Sequence, residues 1–207
     1  MLWRYPDARI LIFSKAPLPG KAKTRLIPQL GEQGAAEFSA ALTRHAVQVA
    51  VEAQLCPVQL WCQPDCHHAL FHELHEAYGL ELKQQRGYDL GERMAYAFVD
   101  SLSASKSVVL IGSDCPAITA DYLRQALQAL VNGSACVLGP ADDGGYVLVG
   151  QSDLNMCMFN NVNWGTPDVW QQTCQRLRVA GLSWSELPTL WDVDRSEDIA
   201  RARDLIN

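Results

Sequence analysis

The stretch that most constrains this chain is Val108 to Pro116, Val-Val-Leu-Ile-Gly-Ser-Asp-Cys-Pro, where an unbroken apolar run stops on a carboxylate. A strand with one wet face would alternate apolar and polar residues. Four consecutive apolar residues bounded by Gly112 and Pro116 instead predict a strand buried on both faces, as in a parallel sheet covered by helices. In open α/β sheets the ligand crevice lies at the carboxyl ends of the strands, so Asp114 stands where chemistry is usually done. The competing reading is that Asp114 caps the helix after Pro116.

Length and composition bound the rest. At 207 residues the chain is most simply one domain spanning residues 1–207, long enough to bury a substantial core. A hydrophobic share of 48% and a charged share of 19% are ordinary for a soluble globular protein, and no apolar run reaches the length of a membrane span. The start, Met1 to Asp7, lacks the apolar core of a secretory signal, which points to a cytoplasmic protein. Seven cysteines, several inside strand-like runs, suit reduced thiols acting as small hydrophobes. A net charge of -6 argues against nucleic acid as a partner, so any anion site must be local.

One such site stands out. After the short apolar strand Arg9 to Phe13, the segment Ser14 to Leu26 carries Lys15, Lys21, Lys23 and Arg25 with no acid, on a loop broken by Pro17, Pro19 and Gly20. Backbone amides beside a glycine, together with several cations, can neutralise a di- or triphosphate, and an arginine adds bidentate contact. The loop is not a Walker A motif, because Ala22 follows Gly20-Lys21 where a Ser or Thr would be needed. A solvated basic turn is the plainer alternative.

A long helix is predicted from Gly31 to Ala53 and a second strand from Pro57 to Cys62. The following short helix holds His67, His68, His72 and His75, but no recognised zinc spacing, so a partly exposed amphipathic helix is the stronger reading. A third strand runs from Leu80 to Gln85. Asp89 and Glu92 then have the spacing of a capping box opening a helix. Gly87 and Gly91 imply close approach by a ligand or another element, and Arg93 would face the same crevice as Asp114.

Beyond a helix from Thr119 to Val131, a buried strand at Ala135 to Leu138 leads into Gly139 to Tyr146. Asp143-Gly144 signals a hairpin, and Asp142 and Asp143 lie at a strand exit near Asp114. A polar loop from Phe159 to Thr166 precedes a helix with Thr166 as N-cap and Pro167 at its first position, running to Ala180. Trp184 to Leu187 is a last strand and Ser196 to Ile206 a terminal helix. Asp192 and Asp194 alternate on an extended segment, so both side chains point the same way, although Asp194 could instead cap the final helix.

Taken together, Phe13-Ser14-Lys15-Ala16-Pro17, Gly20 to Leu26, Asp89 to Met94, Gly112 to Pro116, Gly139 to Tyr146 and Asp192-Val193-Asp194 resemble the DUF2064 family. The resemblance spans nearly the whole chain. It implies the GT-A fold of the nucleotide-diphospho-sugar transferase superfamily, a three-layer α/β/α domain on a mixed, mainly parallel sheet. It also implies that Lys15, Gly20, Lys21, Lys23, Thr24 and Arg25, with Gly91 and Arg93, hold the donor nucleotide and its phosphates. Asp114, with Asp192 or Asp194, would bind a divalent cation, Mg²⁺ or Mn²⁺. Gly144, Gly145, Tyr146 and Trp164 would receive the sugar or acceptor, with Asp142 or Asp143 as the base and Asp114 part of the catalytic set.

The expected activity is therefore metal-dependent transfer from a nucleotide-activated donor to a small-molecule acceptor, with glycosyl transfer from a nucleotide sugar leading. The alternative is nucleotidyl transfer from a nucleoside triphosphate with release of pyrophosphate, as in the similar phospholactate guanylyltransferases. A non-catalytic nucleotide-binding protein is the reading from a different class. No nucleic acid or membrane span is expected, and a homodimer is compatible with the resemblance.

Overall fold

The computed structural model describes residues 3–206. Its strands are β1 (Ala8–Lys15), β2 (Val58–Gln63), β3 (Glu81–Gln84), β4 (Ser107–Gly112), β5 (Cys136–Pro140), β6 (Tyr146–Gln151) and β7 (Trp184–Glu186). Its helices are α1 (Ile27–Glu52), α2 (Ala69–Tyr78), α3 (Leu90–Leu102), α4 (Ala120–Val131), α5 (Val169–Val179) and α6 (Asp198–Ile206). The strands form one mixed sheet in the order β3-β2-β1-β4-β6-β5-β7. Only β6 runs against its neighbours, pairing antiparallel with both β4 and β5.

The apolar runs follow from burial on both faces of this sheet. Ile10 and Ile12 of β1 and Val109 and Ile111 of β4 pack with Val47, Phe71, Leu74 and Leu123 from α1, α2 and α4. Their alternates Leu11, Phe13, Val108 and Leu110 pack with Met94, Phe98, Cys174 and Leu177 from α3 and α5. Because successive residues of a strand point to opposite faces, a strand inside such a sandwich has no polar positions left. The result is the three-layer α/β/α architecture expected from the sequence. A smaller core joins Phe38 and Leu42 of α1 to Trp191, Val193 and Ile199, which fixes the C-terminal segment against the first helix.

Several element ends differ from the sequence expectation. Thr119 caps α4 by accepting the Tyr122 amide at 3.2 Å, so Asp114 is not a helix cap. The segment before α1 forms a short 3₁₀ turn at Thr24–Leu26, and the helix itself starts earlier than expected and kinks at Gly31. α5 starts at Val169 rather than Pro167, because Thr166 and Pro167 are used in the turn that packs on the β5–β6 hairpin. α6 starts at Asp198, whose carboxylate accepts the amides of Asp194 and Arg195; Asp194 is therefore freed from the capping role.

His68 caps α2, its ring Nδ1 accepting the Leu70 amide at 3.2 Å. Among the described residues no group of three or more His, Cys, Asp or Glu side chains is arranged to hold a metal ion. All seven cysteines are free thiols. No described helix is long and apolar enough to cross a membrane.

Candidate active site

The strand exits gather at one edge of the sheet. The Ser113 amide donates to the Phe13 carbonyl at 3.1 Å, which holds the chain beyond β4 alongside β1 and leaves Asp114 at the mouth of a cleft of about 350 Å³. Lys15, Lys23, Arg93, Asp114, Tyr146 and Asp192 are among its walls. A second cleft of about 290 Å³ adjoins it and is lined by Arg25, Asp143, Gly145, Trp164 and Asp194. Leu90, Tyr146 and Asp192 line both clefts, so the two meet along those three side chains.

Lys23 is the most constrained cation of the site. The turn at Leu18, whose carbonyl accepts the amides of Lys21 and Ala22, lifts the loop so that Ala22 and Lys23 face the main cleft. Lys23 adopts the left-handed backbone conformation (φ 45°, ψ 47°), uncommon for a residue with a side chain. Its Nζ lies 2.8 Å from Asp114 Oδ2 and donates to the Val193 carbonyl at 2.6 Å. Arg25 sits farther along and pairs with Asp194 in the second cleft. Asp192 is half-buried, and that burial together with the Asp143 and Asp114 carboxylates pushes its pKa up to about 6. The site thus holds more negative charge than Lys23 alone offsets.

The structure brings together only part of the residue set expected from the sequence. Lys15, Lys23, Arg93, Asp114 and Asp192 share the main cleft, while Arg25, Asp143, Gly145, Trp164 and Asp194 share the second. Gly20, Lys21 and Thr24 line neither, because the loop turns them outward; the Lys21 carbonyl instead accepts from Lys15 Nζ at 3.0 Å. Asp142 is exposed and lines neither cleft. It lies between Ala141 and Asp143, which do line the second cleft, and its amide is bound to the Leu190 carbonyl at 3.0 Å.

At Gly91, where the sequence allows close approach by a ligand or by another element, the structure shows the second. A Cβ there would fall 2.4 Å from Trp164 Nε1, so the indole of another segment makes a close approach that requires a glycine. Gly144, with φ 89°, lies against the Pro167 carbonyl and holds the hairpin on the start of α5 instead of lining the cleft. Asp143 Oδ1 accepts the Gly145 amide at 2.8 Å, which fixes that carboxylate in the turn.

Tyr146 meets Trp164 edge-on, with ring centroids 6.2 Å apart. Its hydroxyl is buried beside that of Thr173 without hydrogen-bond geometry, and burial raises its pKa far above the ordinary tyrosine value. Tyr146 therefore stays protonated and is a wall rather than a base. Cys115, next to Asp114, has its thiol pushed up to about 12 by burial and is not a nucleophile.

Sequence reasoning missed Gln63 and Gln85, which also line the main cleft. Gln85 Nε2 donates to the Trp61 carbonyl at 2.8 Å and to the Ser14 carbonyl at 3.3 Å, tying the ends of β1 and β2 together. Gln63 ends β2 and Gln85 follows β3, so the strand-exit rule that selected Asp114 finds both when it is applied to every strand.

Residues 46–166 match the sequence profile of DUF2064, described as uncharacterized proteins conserved in bacteria. The chain belongs to the DUF2064 family. A crystal structure of a candidate nucleotide-diphospho-sugar transferase from Desulfovibrio desulfuricans G20 is 32% identical, with a TM-score of 0.82 over 92% of this chain and 83% of that one. A Methanothermobacter nucleotidyl transferase shares the fold at 13% identity, with a TM-score of 0.68 over 97% of each chain. A Mycobacterium tuberculosis H37Rv protein in complex with manganese does so at 15% identity, with a TM-score of 0.58 over 96% of this chain and 98% of that one. None of the curated proteins matches the sequence. This DUF2064 chain therefore has the fold of nucleotide-diphospho-sugar transferases and nucleotidyltransferases.

Proposed function

We propose that this DUF2064 protein is a divalent-cation-dependent transferase using a nucleotide-activated donor, with glycosyl transfer from a nucleotide-diphospho-sugar as its reaction. One observation carries the reading: a single cleft at the strand exits offers three cations, Lys15, Lys23 and Arg93, beside two carboxylates, Asp114 and Asp192. That mixture suits a diphosphate and its counter-ion, whereas a purely basic cleft would suit the anion alone. The resemblance to the candidate nucleotide-diphospho-sugar transferase supports the sugar-nucleotide donor over a triphosphate.

In this reading Lys15, Lys23 and Arg93 bind the diphosphate, and Arg93 supplies the planar two-pronged contact. Asp114 and Asp192 are the residues that would hold Mg²⁺ or Mn²⁺. The donor set fits such an ion, because burial and then the Asp143 and Asp114 carboxylates hold Asp192 toward protonation, and a divalent charge would offset that carboxylate repulsion. Asp192 is preferred to Asp194, which is paired with Arg25. When bound, the ion balances the diphosphate and the charge that develops on the leaving nucleotide.

The acceptor enters the second cleft between Trp164 and Asp143. Its hydroxyl oxygen bonds to the anomeric carbon as the bond from that carbon to the β-phosphate oxygen breaks. The nucleoside diphosphate leaves with the electron pair, and Asp143 takes the hydroxyl proton. Leu90 and Tyr146, shared by both clefts, limit water at the junction.

Thermal-shift screening of nucleotide sugars against nucleoside triphosphates, with Mn²⁺ present, tests the choice of donor. Stabilisation by a sugar nucleotide, with release of its nucleoside diphosphate when acceptors are added, is expected. Selective stabilisation by a triphosphate, with release of pyrophosphate, would assign the protein to nucleotidyl transfer instead.

A further inference from the structure

Lys23 is the residue whose contacts the proposed function does not explain. A phosphate-binding lysine is expected to reach into open space, yet this one is already engaged with the protein. Its side chain is 12% exposed, and two of its three N–H groups have partners, Asp114 Oδ2 and the Val193 carbonyl. Those partners come from distant parts of the chain, the exit of β4 and the segment before α6. Val193 in turn donates its amide to the Asp114 carbonyl at 2.9 Å, which closes a small loop of contacts around the ammonium. The left-handed backbone at Lys23 aims the side chain into this loop at some conformational cost.

We infer that Lys23 is the resident cation of the acid site in the nucleotide-free protein, and that Asp114 exchanges it for a divalent metal ion only as phosphate arrives. The inference rests on the donor reading above. An ammonium 2.8 Å from a carboxylate oxygen occupies the approach to that oxygen, and a divalent ion at the same oxygen would repel it. Lys23 must therefore leave for the ion to bind. An incoming diphosphate supplies the alternative partner, because its oxygens accept the N–H groups that Asp114 and Val193 release.

The consequence is thermodynamic coupling. The metal alone competes with Lys23 and binds weakly, and the nucleotide alone must pull Lys23 from its carboxylate. Each therefore strengthens the other, and by the same factor. Lys23 is in this sense a positioning residue that keeps the acid site closed to free metal until the donor is present.

The experiment is Mn²⁺ titration without nucleotide, reading free Mn²⁺ by electron paramagnetic resonance, on wild type, Lys23→Met and Lys23→Arg. Circular dichroism melting checks that the variants fold. Lys23→Met should bind Mn²⁺ alone at least tenfold more tightly than wild type, whereas Lys23→Arg, which keeps the charge, should stay within about threefold of wild type. A Lys23→Met affinity no higher than that of wild type, or an equal gain in Lys23→Arg, would overturn the inference. A parallel titration with UDP or GDP present, corrected for the metal-nucleotide complex, separates the two levels. If wild type takes up Mn²⁺ with a diphosphate but Lys23→Met shows no gain alone, the exchange role falls and the metal-dependent reading stands. If no protein binds Mn²⁺ under either condition, both fall.

Discussion

The Val193 amide donates to the carbonyl of Asp114 at 2.9 Å, stitching the C-terminal segment to the exit of β4 across 79 residues of sequence. This bond, together with the small core formed by Trp191 and Val193 on α1, brings Asp192 beside Asp114. The acid pair at the centre of the site is thus made by a strap that contributes no strand of its own to the sheet. Its consequences are open to experiment.

Asp114→Asn should remove Mn²⁺-dependent nucleotide binding while leaving the fold intact. The carboxylate is half exposed and caps no helix, and the Asn amide oxygen can still accept from Lys23, so the change removes a charge while keeping a partner for the ammonium. A melting temperature within a few degrees of wild type, with no Mn²⁺-dependent increase in nucleotide affinity by calorimetry, is the expected result.

Asp192 gives a pH dependence with a defined sign. Its folded pKa of about 6 lies above the ordinary 3.8, so between about pH 4 and 6 the native state holds a proton that the unfolded state has lost. Stability contributed by this group is full at low pH and is lost as pH rises through about 6. Burial is the main cause, reinforced by the Asp143 and Asp114 carboxylates and opposed by Lys23. Asp192→Asn should therefore match wild type near pH 4 and exceed it at pH 8. Partial exposure screens the effect, so the gain is on the order of 1–2 kcal/mol, or several degrees in melting temperature.

Gly91→Ala tests the contact with Trp164. In an open helix the change would gain about 1 kcal/mol. Here the new Cβ would stand 2.4 Å from the indole nitrogen, and overpacking of about 1–3 kcal/mol reverses the sign. Urea melts should show Gly91→Ala destabilised and Gly91→Ala/Trp164→Leu less so than the sum of the single changes. Strict additivity would disprove the contact.

Arg93→Ala and Arg25→Ala separate the two clefts. Arg93 lines the phosphate cleft, whereas Arg25 is committed to Asp194 in the neighbouring one. Loss of a charge-assisted bond of about 1.5–3 kcal/mol predicts a roughly 10- to 100-fold loss of diphosphate affinity for Arg93→Ala, with nucleoside affinity unchanged. Arg25→Ala should change diphosphate affinity by no more than about threefold.

These sites show what the sequence carries and what it does not. The unbroken apolar run of β4 and the Asp143-Gly144 hairpin are local signals, and they led directly to a buried parallel sheet with one reversed strand. The position of Asp114 at a strand exit was equally legible. The partners of Lys23 and Gly91 were not, because they are set by tertiary contacts with segments tens of residues away. A run of four cations looks like one phosphate loop, yet the turn at Leu18 sends Lys21 outward and the acids at Asp114 and Asp194 divide Lys23 from Arg25. Charge counts on a loop do not reveal which charges are already partnered.

The most direct test of the nucleotide-and-cation cleft is calorimetric titration of wild type with UDP and with GDP, each with and without Mn²⁺, against the corresponding nucleosides. At least one diphosphate should bind tenfold or more tightly with Mn²⁺ than without it, and its nucleoside should gain nothing from the metal. Equal affinity for diphosphate and nucleoside, unaffected by Mn²⁺, would contradict the assignment of Lys15, Lys23, Arg93, Asp114 and Asp192 to one phosphate-binding centre.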